Sequence, residues 1–165
     1  MSLGLIIGGA IILLLASLVI VSTSKRKRTK KEKFLNPLKE LAFRNQCQIS
    51  HSDIWSESVI GIDDNKNQVF VIRKNAGSES EITINLSNVF RCRVSEISHT
   101  SGPKEGNIKA FDRIDLVFSH KEKSKPDVSV EFYNSNTDRL TLAGELQLAE
   151  KWCSLINRRL SSIGK

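Results

Sequence analysis

The chain has 165 residues, three cysteines and a net charge of +7. That length holds one compact domain, and three widely separated cysteines exclude a disulfide framework. Lys25, Arg26, Lys27, Arg28, Lys30, Lys31 and Lys33 against Glu32 carry +6 of the charge, leaving 18 basic and 17 acidic groups elsewhere, and so nearly neutral a remainder excludes a nucleic-acid partner.

From Ser2 to Ser24 no residue is charged, and Leu, Ile and Val occupy thirteen positions. A helix of about 20 such residues crosses the roughly 30 Å hydrocarbon core of a bilayer. A cleaved signal would carry its basic residues ahead of a shorter apolar run; here they follow it. The pattern predicts a transmembrane anchor over residues 1–24 and a polybasic juxtamembrane linker over residues 25–35. The positive-inside rule then keeps that linker cytoplasmic. The expected localisation is the inner membrane, single-pass, with the amino terminus outside, the remaining domain cytoplasmic and the lipid bilayer as one partner. Gly4 and Gly8 form a GxxxG pair whose spacing lets two helices approach, which points to a homodimer through this helix.

Asn36 and Pro37 read as the N-cap and first position of a short linker helix over residues 36–46, with Leu38, Leu41 and Ala42 on one face. From Gln48 to Tyr133 the apolar period becomes two, the repeat of half-buried strands. ISHSDIW comes first; SVIGID and QVFVIRK then flank the turn-rich DDNKN as a hairpin. EITINLS sets Ile82, Ile84 and Leu86 on one face, and VFRCRV sets Phe90, Cys92 and Val94 on one face with Arg91 and Arg93 opposite. RIDLVF and DVSVEFY continue the pattern with Ile114, Leu116 and Phe118, then Val128, Val130 and Phe132. These make about seven strands, and no helix able to form a parallel crossover separates them, so an antiparallel sheet is expected. The helical period returns over residues 140–163, where Leu142, Leu146, Ala149, Trp152, Cys153, Ile156, Leu160 and Ile163 form one stripe.

Seven antiparallel strands closed by one amphipathic helix resemble the pleckstrin-homology-like (PH-like) fold, over roughly residues 48–163. LAEKWCSLINRRL resembles that fold's last helix, which implies that Trp152 and Ile156 plug a curved sheet or barrel as structural core residues. The expected architecture is thus an N-terminal transmembrane helix plus a mainly β domain over residues 47–165. The combination is similar to small bacterial membrane proteins of unassigned role. The resemblance also invites a phosphoinositide site in the first hairpin, but Asp63 and Asp64 there would repel a phosphate, and Val71 stands two before Arg73 where a second basic residue is wanted.

Catalytic and metal motifs are missing from the sequence. DDNKN imitates the start of an EF-hand loop, yet Gln68 and Lys74 occupy the positions of its Gly and Glu. His51, His99 and His120 are isolated on separate elements. His51, Ser52 and Asp53 have the residue types of a hydrolase triad, but on a strand Ser52 points away from its neighbours, so a His51–Asp53 surface pair is expected instead. Cys92 and Cys153 fall in apolar stripes and read as small core residues. No cofactor or metal is expected. The polar loops remain, above all SHKEKSKPD with Lys121, Lys123 and Lys125, because loops on a rigid β scaffold carry binding. The sequence therefore predicts a membrane-anchored, noncatalytic interaction or scaffold domain with a protein partner. Lipid-headgroup binding through those lysines is the alternative, and an enzyme acting on a membrane-borne substrate is the more remote one.

Overall fold

The computed structural model describes residues 31–75, 78–100, 109–137 and 142–163. The alternating segments form seven strands: β1 (His51–Trp55), β2 (Ser58–Asp63), β3 (Gln68–Asn75), β4 (Ser78–Asn85), β5 (Val89–Thr100), β6 (Lys109–His120) and β7 (Val128–Asn134). Helical residues 31–44, here α1, precede them, and α2 (Glu145–Ile163) follows. Every strand pairs antiparallel with its sequence neighbour, except across the β4–β5 junction. There a 3-10 turn over Leu86–Asn88 breaks the meander. The Asn85 side chain accepts from the Ser87 N–H at 2.9 Å, and buried Leu86 donates its N–H to the Asn67 carbonyl. The result is two sheets, one of order β1-β2-β3-β4 and one of order β5-β6-β7.

Seven antiparallel strands and a closing helix match the sequence expectation; a single PH-like curved sheet or barrel does not. The strands divide four and three, no closed barrel forms among the described residues, and the turn at Leu86–Asn88 is the physical reason. Contacts between described residues join the sheets at one end. Trp55 of β1 stacks on Phe132 of β7, with ring centroids 4.3 Å apart, and Arg73 of β3 pairs with Glu131 of β7 at 2.6 Å.

The main core lies between the sheets. Ile60, Ile62, Val69, Val71 and Ile84 from the first sheet meet Cys92, Ile114, Leu116, Phe118, Val130 and Phe132 from the second, and α2 covers them with Ala149, Trp152 and Ile156. Trp152 and Ile156 are both fully buried, as core residues should be. The Trp152 indole N–H donates to Asp53 Oδ2 at 2.9 Å, so its one polar atom has a partner.

A second core was not legible in the alternation. All six residues of β2 are buried, because α1 covers the outer face of the first sheet. Phe34, Leu38, Leu41 and Ala42 pack there against Val59, Phe70 and Ile72. The helix is already running at residue 31 and continues through Pro37, so Asn36 is not its cap. A proline inside a helix costs about 3 kcal/mol, whereas burying Phe34 and Leu38 contributes about 1.5–3 kcal/mol each; burial on the sheet outweighs the break. Gly61 permits the approach, since a Cβ there would lie 2.8 Å from Leu38 Cδ2. At the far end Gln46 takes a left-handed φ of 57°. Cys47 N–H then closes onto the Ala42 carbonyl and Gln46 N–H onto Phe43, ending the helix with its carbonyls satisfied.

Among the described residues no helix is long and apolar enough to cross a membrane. Both described helices are amphipathic, with their apolar stripes already packed against the sheets. The expected anchor over residues 1–24, with Gly4 and Gly8, and the flanking Lys25, Arg26, Lys27, Arg28 and Lys30 lie outside the described residues. Lys31 and Lys33, within the segment expected as the linker, are exposed on α1. The expectation of a single-pass inner-membrane protein with a cytoplasmic domain does not stand on the described architecture, which is that of a β+α domain.

Candidate functional site

The carboxylates that could serve chemistry are held by structural partners. Asp63, in the β2–β3 turn, accepts backbone N–H groups from Gln48 at 2.7 Å, Asn65 at 2.8 Å and Lys66 at 2.9 Å. Burial pushes its pKa up, but these bonds and the neighbouring Cys47 thiol more than offset that and hold it below the ordinary carboxylate value. Burial, then the Asp63 charge, pushes the Cys47 thiol up in turn, with Lys66 opposing. Both groups line an open depression of about 690 Å³ between the end of α1 and this turn. Its Arg44 is paired with Glu81 at 2.6 Å. The depression thus holds a carboxylate engaged by three backbone N–H groups beside a thiol whose pKa is raised.

At the junction of the sheets, Arg113 Nε donates to Asp115 Oδ2 at 2.7 Å, and Glu131 receives Arg73 at 2.6 Å and Asn134 Nδ2 at 3.0 Å. The Asp115 hydrogen bond leads the causes that raise the Arg113 pKa above its ordinary value. Two guanidiniums against two carboxylates make a neutral cluster in which Glu131 of β7 meets both Arg73 of β3 and, at 3.5 Å, Arg113 of β6. The expected His51–Asp53 pair does not form: His51 faces Asp64 at 3.2 Å, while Asp53 takes Lys151 at 2.7 Å and Trp152. His99 sits with Asp112 at 2.8 Å. Among the described residues no group of His, Cys, Asp and Glu is arranged to hold a metal.

The surface offers a different feature. Alternation places Phe90 inside with Cys92 and Val94, yet Phe90 is 72% exposed. The register explains this: Val89 pairs with His120 and Arg91 with Ser119, so one extra residue is inserted in β5. Such a bulge re-aims a side chain. Val89 and Cys92 still face the core, and the two residues between them, Phe90 and Arg91, are both exposed. No local sequence signal marks the bulge; only the burial of Val89 shows the shift in phase.

The sequence-selected loop lies beside this bulge. Lys121 donates its backbone N–H to the Asn88 carbonyl at 2.9 Å, joining the start of the β6–β7 loop to the residue two before Phe90. Lys121, Lys123 and Lys125 are all exposed. Lys125 is engaged by Glu122 at 2.9 Å, and its hydrogen bond, followed by that of Ser124, holds the Glu122 carboxyl below the ordinary range. Asp127 is occupied by Arg93 at 3.4 Å and Ser119 Oγ at 3.0 Å. Arg91, Lys121 and Lys123 make no ion pair among the described residues. Glu122 and Asp127 are thus neutralised internally, and exposed Phe90 is followed in the chain by unpaired Arg91, with the start of the lysine loop tied by its backbone to Asn88.

Comparison of the chain with protein-family models, with curated proteins and with solved structures finds no match. The expected PH-like membership, fused membrane helix and bacterial kinship therefore have no relative to support them, and the divided sheets oppose the barrel.

Proposed function

We propose that the chain is a noncatalytic protein-interaction module that docks an acidic protein segment bearing an apolar side chain on the surface built by Phe90, Arg91, Lys121 and Lys123. The observation that carries this reading is the bulge that turns Phe90 outward to 72% exposure. Leaving a Phe ring in water forgoes about 1.5–3 kcal/mol of burial, which a partner's apolar side chain can recover. Aromatic and Arg side chains are the residue types that dominate binding at interfaces. The unpaired cations select for acidic neighbours and steer their approach. The engagement of Asp63, Asp53 and Glu131 by structural partners supports the noncatalytic side of the reading.

Selection of a displayed random-peptide library on the full chain tests it. The selected peptides should share an apolar residue flanked by Asp or Glu, their binding should weaken as salt rises past about 0.15 M, and Phe90→Ala should lose them. Peptides without an acidic bias, or equally well bound by Phe90→Ala, would refute it.

A further inference from the structure

We propose that Cys92 and Cys153 are an oxidation-sensitive pair that closes to a reversible disulfide and staples α2 to β5. The two thiols lie in the main core on facing elements, whereas Cys47 belongs to the separate cluster on the outer face of the first sheet. Asn157, one helical turn after Cys153, fixes the geometry. Its Oδ1 accepts the Cys92 backbone N–H at 3.0 Å and its Nδ2 donates to the Cys92 carbonyl at 2.8 Å, so the amide replaces a strand partner at the edge of β5. The same Nδ2 lies 3.4 Å from Cys153 Sγ. The Cys153 thiol in turn donates to the Cys92 carbonyl at 3.4 Å, which sets it against the Cys92 backbone. A disulfide requires its two residues to lie close together, and these contacts hold Cys153 against the Cys92 backbone.

The two cysteines differ in access, and this sets the order of events. Cys92 is buried, which keeps external disulfides from reaching it; burial first, and the adjacent Cys153 second, also push its thiol pKa up. Cys153 is only partly buried and meets a low-molecular-weight disulfide first. Its thiolate attacks one sulfur of that disulfide, the external S–S bond breaks, and one thiolate leaves. The Cys92 thiol then gives up its proton and its sulfur attacks Cys153 Sγ, expelling the second thiolate. Two protein thiols are oxidised, one external disulfide is reduced to two thiols, and the protons released pass to the departing thiolates.

The full chain, purified reduced, is equilibrated with oxidised glutathione, acid-quenched, unfolded and alkylated. The oxidised chain should accept one alkyl group, on Cys47, and before alkylation its mass should be lower by about 2 Da. Peptide mapping should find the 92–153 link. Hydrogen exchange over α2 and β5 should slow on oxidation and recover on reduction. Cys153→Ser should leave Cys92 alkylatable and free of glutathione, since the buried thiol then has no relay. Three alkylated cysteines, a glutathione adduct persisting on Cys153, or a link through Cys47 would each overturn the proposal.

Discussion

Replacing Gly61 with alanine probes the contact on which the second core depends. The added Cβ would lie 2.8 Å from Leu38 Cδ2, 3.1 Å from Ile49 Cγ2 and 3.2 Å from the His51 carbonyl oxygen. The first distance is shorter than side-chain carbons tolerate, and Leu38 is fully buried, so its methyl cannot swing into solvent to relieve the clash. Overpacking of this kind costs about 1–3 kcal/mol. Alanine returns roughly 0.5–1 kcal/mol of chain entropy relative to glycine in a strand, which leaves a net loss of up to about 2.5 kcal/mol. Leu38→Ala alone should cost about 2–5 kcal/mol by opening a cavity under α1. Combined, the two changes should partly cancel, because the new methyl occupies the space vacated by Leu38. Urea unfolding of the four chains in a double-mutant cycle should therefore show a favourable coupling of about 1 kcal/mol or more. Additivity within about 0.3–0.5 kcal/mol would mean that α1 does not rest on Gly61.

Two further outcomes follow from the charged groups. Asp63 has a folded pKa below its ordinary value of 3.8, so its contribution to stability is full above that value and is lost as pH falls through the folded pKa. Asp63→Asn should cost about 1–3 kcal/mol at neutral pH, and its deficit against the parent should shrink in acid unfolding below pH 3.8; a deficit independent of pH would contradict the assignment. The Arg73 and Glu131 side chains are 13% and 11% exposed. Arg73→Met should cost about 2–4 kcal/mol by chemical denaturation, near the range for breaking a buried pair. Adding Glu131→Met should restore part of that loss, and a double variant as unstable as the sum of the singles would show that the pair does not join the sheets.

Strand content was legible because half-burial writes itself as alternation: Ile82, Ile84 and Leu86 do fall in one core, as do Val130 and Phe132. The stripe of α2 was legible for the same reason at helical period, and Trp152 and Ile156 lie at its centre. Two-sided burial was harder to read, because Val59, Phe70 and Ile72 interleave with the inner-facing residues and meet a helix whose Pro37 resembles a first position. The division into two sheets depends on Leu86–Asn88, too short a stretch to stand out. Phe90 escaped because one inserted residue shifts the phase of β5 without changing its composition. The bond between Trp152 and Asp53, 99 residues apart, has no local trace. Lys121 and Lys123 were singled out as loop lysines, but only the hydrogen bond between Lys121 and Asn88 ties the start of their loop to the segment that leads into Phe90.

Two exposed phenylalanines allow the docking surface to be tested against an internal control. Phe43 is 80% exposed at the end of α1, and Phe90 is 72% exposed on the bulge of β5. Fluorescence anisotropy with a labelled, library-selected acidic peptide should give an affinity that falls by about tenfold or more for Phe90→Ala, the loss expected at the centre of an interface. Phe43→Ala should bind like the parent chain. Unchanged affinity in Phe90→Ala, or an equal loss in both variants, would contradict the assignment of this surface.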